Sequence, residues 1–365
     1  MSAFGTGRSC VRCHEAKRKC DQTAPTCRLC KKKGLACVYP SRKPSNFMMN
    51  YGLSASEMSR ELALDFANPR DLLFTDKNSV AWFTAPEVFA VDRSPMPLPP
   101  NFKIRDLKEF VRRIESWLTI WITTGTNAFI HACLYEDGFP SCLQIAFTTY
   151  SAYIHRSPIA SDILLRAVDD QATALVSKLE HIDSSADIIK SLAYIHALFV
   201  YQMIGLFDGD IRSRHLAETR APILAGLLDR TLKNASAALD RNMTISGVTA
   251  STAQYLAPNE SLWRTWVISE SLRRTWLVIQ GISASYDGLK QGWAPCNGDV
   301  MFTTRAGLWA AESAVSWAKT WMNQDVRFVG RAHAECLFMV PPEEVDEFAT
   351  FMLETIFGKE RSSNW

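Results

Sequence analysis

Between residues 10 and 37 the chain places six cysteines in two copies of one spacing: Cys10, Cys13 and Cys20 recur as Cys27, Cys30 and Cys37 at a constant offset of 17. Each copy reads C-x2-C-x6-C, and six residues join them. A segment this short with almost no aliphatic side chains cannot fold by burial alone. Something must replace the core, and regularly spaced sulfur points to a metal. Zinc takes four ligands in a tetrahedron. Six thiolates can close one such site with two left over, or two sites if two sulfurs are shared. The equivalence of the halves favours the second solution, because a single ion would treat the two trios unequally. Metal binding would then supply most of the folding free energy, on the order of 10 kcal/mol per site.

No apolar stretch precedes Cys10, so the expectation is a chain without a cleaved secretory signal whose thiols meet a reducing compartment. That weighs against a disulfide knot, and the regular spacing within a long globular chain weighs against a metallothionein-like store. A protein-binding zinc module and a nucleic-acid-binding one remain. Charge separates them. Residues 1–45 carry eleven Lys/Arg against Glu15 and Asp21, a surplus of nine positive charges, whereas the rest of the chain has 29 basic and 36 acidic side chains. A basic arm for a polyanion joined to a body that binds none is the natural division.

The residues between the cysteines refine this. His14-Glu15-Ala16-Lys17-Arg18-Lys19 holds good helix formers after the C-x2-C turn and ends in three cations. The second loop, Lys31-Lys32-Lys33-Gly34-Leu35-Ala36, has Gly34 where the first has Lys17. A short helix ending in Lys17, Arg18 and Lys19 can present a cation and its free carbonyls to base edges in a major groove, while Lys31, Lys32 and Lys33 suit phosphates.

The whole pattern, with Lys17 and Lys19 before Cys20 and Pro25 before Cys27, resembles the fungal zinc binuclear cluster transcription regulators. The resemblance implies two zinc ions, with Cys10 and Cys27 bridging both, Cys13 and Cys20 completing one site, and Cys30 and Cys37 completing the other. It further implies that Pro25 shapes the turn between the halves and that Lys17 reads a CGG-type triplet in double-stranded DNA, aided by backbone carbonyls. The position after the second cysteine is often Arg or Lys in the family and is His14 here, which alters one phosphate contact and leaves the metal sites intact. The expected setting is the nucleus, with the transcription machinery or coactivators as further partners. Control of a secondary-metabolite gene cluster is preferred, by resemblance, over ligand-responsive control or repression of nutrient or drug-response genes.

The expected organisation is a zinc cluster domain at 1–45, a largely irregular linker at 46–100 and a mostly all-α regulatory domain at 101–365. Leu53, Met58, Leu62 and Phe66 are spaced 5, 4 and 4 and do not sustain the heptads of a dimerising coil, so the protein is expected to bind as a monomer or as a homodimer formed elsewhere. The proline-rich run Pro95–Pro100 breaks any helix. Beyond it, Leu107, Val111, Ile114, Leu118 and Trp121 follow helical spacing. Further helices are expected at about 140–155, 160–180, 187–207, 212–238 and 261–286. The apolar run Leu192–Phe207 contains His196 and Gln202 and is shorter than a membrane span, so a buried helix is expected and no membrane partner.

Four body segments invite a functional reading. Leu262–Trp266, Glu270–Trp276 and Leu206–Asp210 look like stretches of the helical regulatory regions of the same fungal factors; their tryptophans and arginines are expected in the core and in helix-surface ion pairs. Pro342–Gly358 mixes acids with bulky apolar groups, as activation segments do, but Val345, Phe348, Met352 and Ile356 on one face with Gly358 after them favour a packed helix. An enzyme is disfavoured. No G-x-S-x-G, Walker or H-E-x-x-H motif is present, and His131, Cys133, Cys142, Cys296 and Cys336 read as core residues rather than a catalytic set.

Overall fold

The computed structural model describes residues 10, 12–13, 16–21, 23, 25–37, 82–93, 103–179, 187–245, 259–292, 294, 297–323 and 328–365, apart from the side chains of 82, 242–245, 322, 323 and 332. They fall into two units, Met1–Met48 and Met49–Trp365. His14, Cys296, the apolar residues 53–66 and the proline run 95–100 lie outside the described residues. In the first unit, helix α1 (Arg28–Lys32) has a cysteine as its N-cap: Cys27 Sγ accepts from the Cys30 amide.

In the second unit apolar periodicity governs. The stripe begun at Leu107 buries Phe110, Ile114, Trp117 and Trp121 on one side of α2 (Ile104–Thr124), which stops at Gly125 in the left-handed conformation. Helices α3 (Ser141–Ile154) and α4 (Ser161–Leu179) lead to α5 (Ile188–Phe207), started by the Asp187 carboxylate accepting from Lys190 N. Because α5 is apolar all round, it needs neighbours on every side. It has them in α3, α4, α6 (Ile211–Ile245) and α7 (Glu260–Gln291). Both long helices run past the boundaries read from the sequence, and α6 continues through Pro222. Helix α7 also packs on α2, where a Cβ at Gly281 would overlap the Phe110 ring; only glycine permits that approach.

A two-stranded antiparallel sheet, β1 (Phe302–Thr303) on β2 (Phe328–Val329), flanks α8 (Ala314–Asn323) in sequence, and α9 (Glu347–Phe357) and α10 (Lys359–Ser363) follow. Part of the stretch assigned to the linker belongs to this body. Residues 82–89 form two 3₁₀ turns whose Phe83, Val88 and Phe89 are buried in the core, and Asp92 pairs with Asp299 through two 2.8 Å backbone bonds. Two short 3₁₀ turns ahead of a proline run carry no helical period, so their sequence does not announce this contribution.

The arginines of α7 also differ from expectation. Arg264 makes the expected surface pairs with Asp137, Glu136 and Glu260. Arg273 and Arg274 do not: both are completely enclosed, as is Glu270. Glu270 bonds Arg273 at 2.6 Å and Arg274 at 2.9 Å, and Arg274 also pairs with the buried Asp346. Two positive and two negative charges thus cancel in the interior. Burial works to raise the Glu270 pKa, but the two guanidiniums outweigh it and hold the carboxyl below its usual range. Spare donors reach the Phe83, Ala128 and Thr303 carbonyls, so this one helical turn ties together four separate stretches of chain.

The acidic C-terminal segment is a packed helix. Asp346 caps α9 by accepting from Ala349 N while its other oxygen pairs with Arg274, and Phe348, Phe351, Met352 and Leu353 are buried. Phe348 stacks on Trp117 at 5.7 Å. Val345 is buried just ahead of the helix, in a bridge to Arg305, and Ile356 is half-buried. The apolar face that an activation segment would offer to a partner is here used inside the body.

Candidate metal centre and nucleic-acid surface

The 17-residue repeat is reproduced in the backbone. Ala16 N donates to Arg12 O at 3.2 Å, and Lys33 N to Leu29 O at 3.2 Å; Arg18 N donates to Cys13 O at 2.9 Å, and Leu35 N to Cys30 O at 3.0 Å. Each half therefore ends its turn with the long-range amide bond of a Schellman cap. Such a cap requires a left-handed residue just before its final donor, and these are Lys17 (φ 48°) and Gly34 (φ 63°). Asp21 ties the link between halves, accepting from Thr23 Oγ1 at 2.6 Å and from Arg28 N at 3.0 Å. Pro25 lies in a bend of that link. The role of Asp21 was not apparent from the sequence, although an Asx-type signal two residues before Thr23 was there to be read.

These turns bring all six cysteines together with no disulfide. Cys10, Cys13, Cys20, Cys27 and Cys30 are buried and Cys37 is half-buried. The sulfurs form two groups of four, each within 4.8 Å: Cys10, Cys13, Cys20 and Cys27, and Cys10, Cys27, Cys30 and Cys37. Cys10 and Cys27 belong to both. Their separation is 3.8 Å, and Cys10–Cys30 and Cys13–Cys27 are each 3.7 Å. A tetrahedron with zinc–sulfur bonds of about 2.3 Å has edges of about 3.8 Å, so the donor set fits the ion in chemistry and in size.

The thiols differ electrostatically. Cys10 is lowered to about 6, first by the amide of Cys13, and Cys27 is lowered first by the amide of Cys30. Burial instead raises Cys13 and pushes Cys30 up to about 12. Cys37 also accepts a backbone donor, Cys27 N at 3.3 Å, yet ends raised, so the two shared sulfurs are the ones whose pKa is lowered overall. A bound zinc ion supplies the positive charge that keeps all its ligands deprotonated.

Around this interior the cations face solvent. Lys17, Arg18 and Lys19 are exposed after the first turn, and Lys31, Lys32 and Lys33 are exposed at the end of the second. Arg12 and Arg28 add two more exposed cations, Arg28 89% exposed at its side chain and only 3.6 Å from Asp21; the sequence reading did not include them.

The comparisons with known proteins agree with this geometry. Residues 8–46 match the family described as the fungal Zn(2)-Cys(6) binuclear cluster domain. The segment is a zinc binuclear cluster domain. Its metal complement is two zinc ions. The whole chain is similar to the transcription factor gsfR2 of Penicillium aethiopicum, with 27% identity over 402 residues, covering 98% of this chain and 94% of that protein. No solved structure matches.

The body offers no comparable chemistry among its described residues. Burial and the nearby Glu136 raise the Cys133 thiol, and burial raises Cys142, the direction that makes a thiol inert. His131 is buried and lowered to about 4 by that burial, and its Nδ1 accepts from Cys133 N.

Proposed function

We propose that this protein is a sequence-specific DNA-binding transcription factor of the RNA polymerase II type, acting in the nucleus and reading CGG-like triplets through its binuclear cluster. Cys10 and Cys27 bridge the two zinc ions, Cys13 and Cys20 complete one site, and Cys30 and Cys37 complete the other. Lys17 contacts base edges with Arg18 and Lys19 beside it, and Lys31, Lys32, Lys33 and His14 serve the phosphates. One observation carries the reading: two sulfur tetrads sharing two members, surrounded by exposed cations. A small cationic surface built on a metal core is what a phosphate backbone attracts.

Residues 101–365, with the 82–93 segment built into them, act as the regulatory body, and the regulated genes are those of a secondary-metabolite cluster. The similarity to a named transcription factor along nearly the whole chain supports a regulatory rather than catalytic body. Selection of bound duplexes from a random pool by the full-length protein, with zinc content measured alongside, tests the molecular part. Two zinc ions per chain, an enriched triplet and affinity that falls steeply with salt are expected. Lys17→Ala should lose sequence preference while Lys32→Ala weakens binding to all duplexes alike; equal loss of preference from both would defeat the division of roles. Unchanged cluster transcripts after gene deletion would defeat the pathway assignment.

A further inference from the structure

The net charge of the body conceals one cationic stretch. Beyond residue 45 acids outnumber bases by 36 to 29, yet Lys103–Arg113, at the start of α2, carries five Lys/Arg against Asp106 and Glu109. Three of the five share a line. Arg105, Lys108 and Arg112 are spaced 3 and 4, which stacks them on one helix face over about 10 Å, and the buried Leu107, Phe110 and Ile114 lie on the opposite face. All three cations are exposed, Arg105 by 74% and Arg112 by 60% at the side chain. The exposed Ser116 and Thr119 continue the ridge.

This placement opposes helix stability twice. Like charges three and four residues apart repel, and Arg105 and Lys108 stand in the first two turns, the end at which the helix dipole disfavours cations. The neighbouring acids do not neutralise the ridge. Asp106 already accepts from Lys103 N at 2.7 Å and lies 3.7 Å from Arg105, and Glu109 divides between Arg112 and Lys359, the latter at 3.1 Å. Arg113 turns away to Glu347 at 3.5 Å. Lys108, among the described residues, makes no hydrogen bond or ion pair. An exposed row of cations that costs its helix stability fits a polyanion outside the chain, and the helix N-terminus adds its own attraction for phosphate. The polyanion this chain already addresses is DNA. We infer that the Arg105–Lys108–Arg112 ridge is a second phosphate-binding surface, which engages the backbone of the duplex beyond the triplet held by the cluster. The inference rests on the DNA-binding reading above and extends it from the cluster to the first helix of the body.

The test compares full-length, zinc-loaded protein on two duplexes carrying the selected triplet, one ending close to it and one extended by about two helical turns on each side, over about 50 to 200 mM salt. Each phosphate contact steepens log affinity against log salt by about 0.9, so three cations should make the long duplex lose about 40-fold more affinity than the short one over that range. The triple variant Arg105→Gln, Lys108→Gln, Arg112→Gln should abolish the difference and bind the short duplex as the parent does. Its body should unfold at the parent midpoint or above it, followed by tryptophan emission; a lowered midpoint would show that the cations serve the helix and would overturn the inference. Arg166→Gln, Lys178→Gln and Lys233→Gln together, at exposed positions of α4 and α6, remove the same charge and should change neither slope. An equal effect of this control would overturn the inference, and so would equal parent slopes on both duplexes, even if the ridge then held a polyglutamate peptide. A parent that enriches no triplet at all fails the DNA reading itself, and the ridge falls with it.

Discussion

The cluster and the body solve the folding problem in opposite ways. The cluster buries five sulfurs and little else, and places its charged side chains in water. The body buries a continuous apolar core and, at Glu270, Arg273, Arg274 and Asp346, encloses charge within it. One unit therefore depends on a metal that has to be acquired, the other on packing it already contains. The contrast also sorts lysine and arginine by role. In the cluster the conspicuous cations are exposed and available to a partner; in α7 the most conspicuous ones are structural, because their partners are already supplied by the chain.

The largest expected effect tests that independence. Chelating zinc should unfold residues 10–37, removing on the order of 10 kcal/mol per site, and leave the body intact. All eleven tryptophans lie from Trp82 onward, so tryptophan emission reports the body alone, while cobalt-substituted thiolate absorption reports the cluster. An emission change accompanying zinc loss would break the comparison.

Next in size is the buried quartet. Glu270→Gln leaves Arg273 and Arg274 enclosed with one fewer carboxylate, and removal of one member of a buried ion network costs about 3–5 kcal/mol. Thermal or urea unfolding of the body should show it, with zinc retention unchanged. A body of parent stability would mean that the interior tolerates the unbalanced guanidiniums.

Acid should act on the body through its histidines. His196, bonded to Tyr135 and Thr275 at 2.8 Å each, is lowered by burial to about 3, and His131 to about 4. The unfolded chain protonates both from the ordinary value of 6.5 downward, where the folded chain stays neutral. Their stabilisation is therefore complete above pH 6.5 and falls as pH drops toward 4, by about 1.4 kcal/mol per pH unit for each. Asp299, raised by burial to about 6, has the opposite sign: the folded state takes up its proton first, so stability is gained as pH falls from about 6 to 3.8. Among these three groups the balance below pH 6 is a loss of about one histidine's contribution. Urea unfolding across this range would measure it, and His196→Gln should flatten the profile; an unaltered slope would exclude His196 as its source.

The smallest effect is at Arg264. Its three carboxylate partners are more than half exposed, so Arg264→Ala should cost less than about 1 kcal/mol. Six residues along the same helix, Glu270→Gln should exceed it several-fold. A loss at Arg264 equal to that at Glu270 would show that burial is not what distinguishes them.

The sequence by itself determined the cluster. Spacing is a sufficient description when ligands must meet on a metal, since the offset of 17 fixes equivalent trios and the ion chooses sulfur whatever surrounds it. It also determined the helices α2 to α5 closely, because an apolar stripe over several turns has one period, and it placed the acidic C-terminal segment in a packed helix. It did not reveal that Phe83, Val88 and Phe89 enter the core from a stretch with no periodic signal, nor that Arg273 and Arg274 are enclosed while Arg264 is not. All three arginines lie on one helix with a nearby acid, and only tertiary packing decides which face is covered. Nor did the sequence show that Lys17 is strained. It placed Lys17 opposite Gly34, but a left-handed φ is a property of the closed cap, and it took the folded turn to show that the first half bears a conformational cost which the second half avoids.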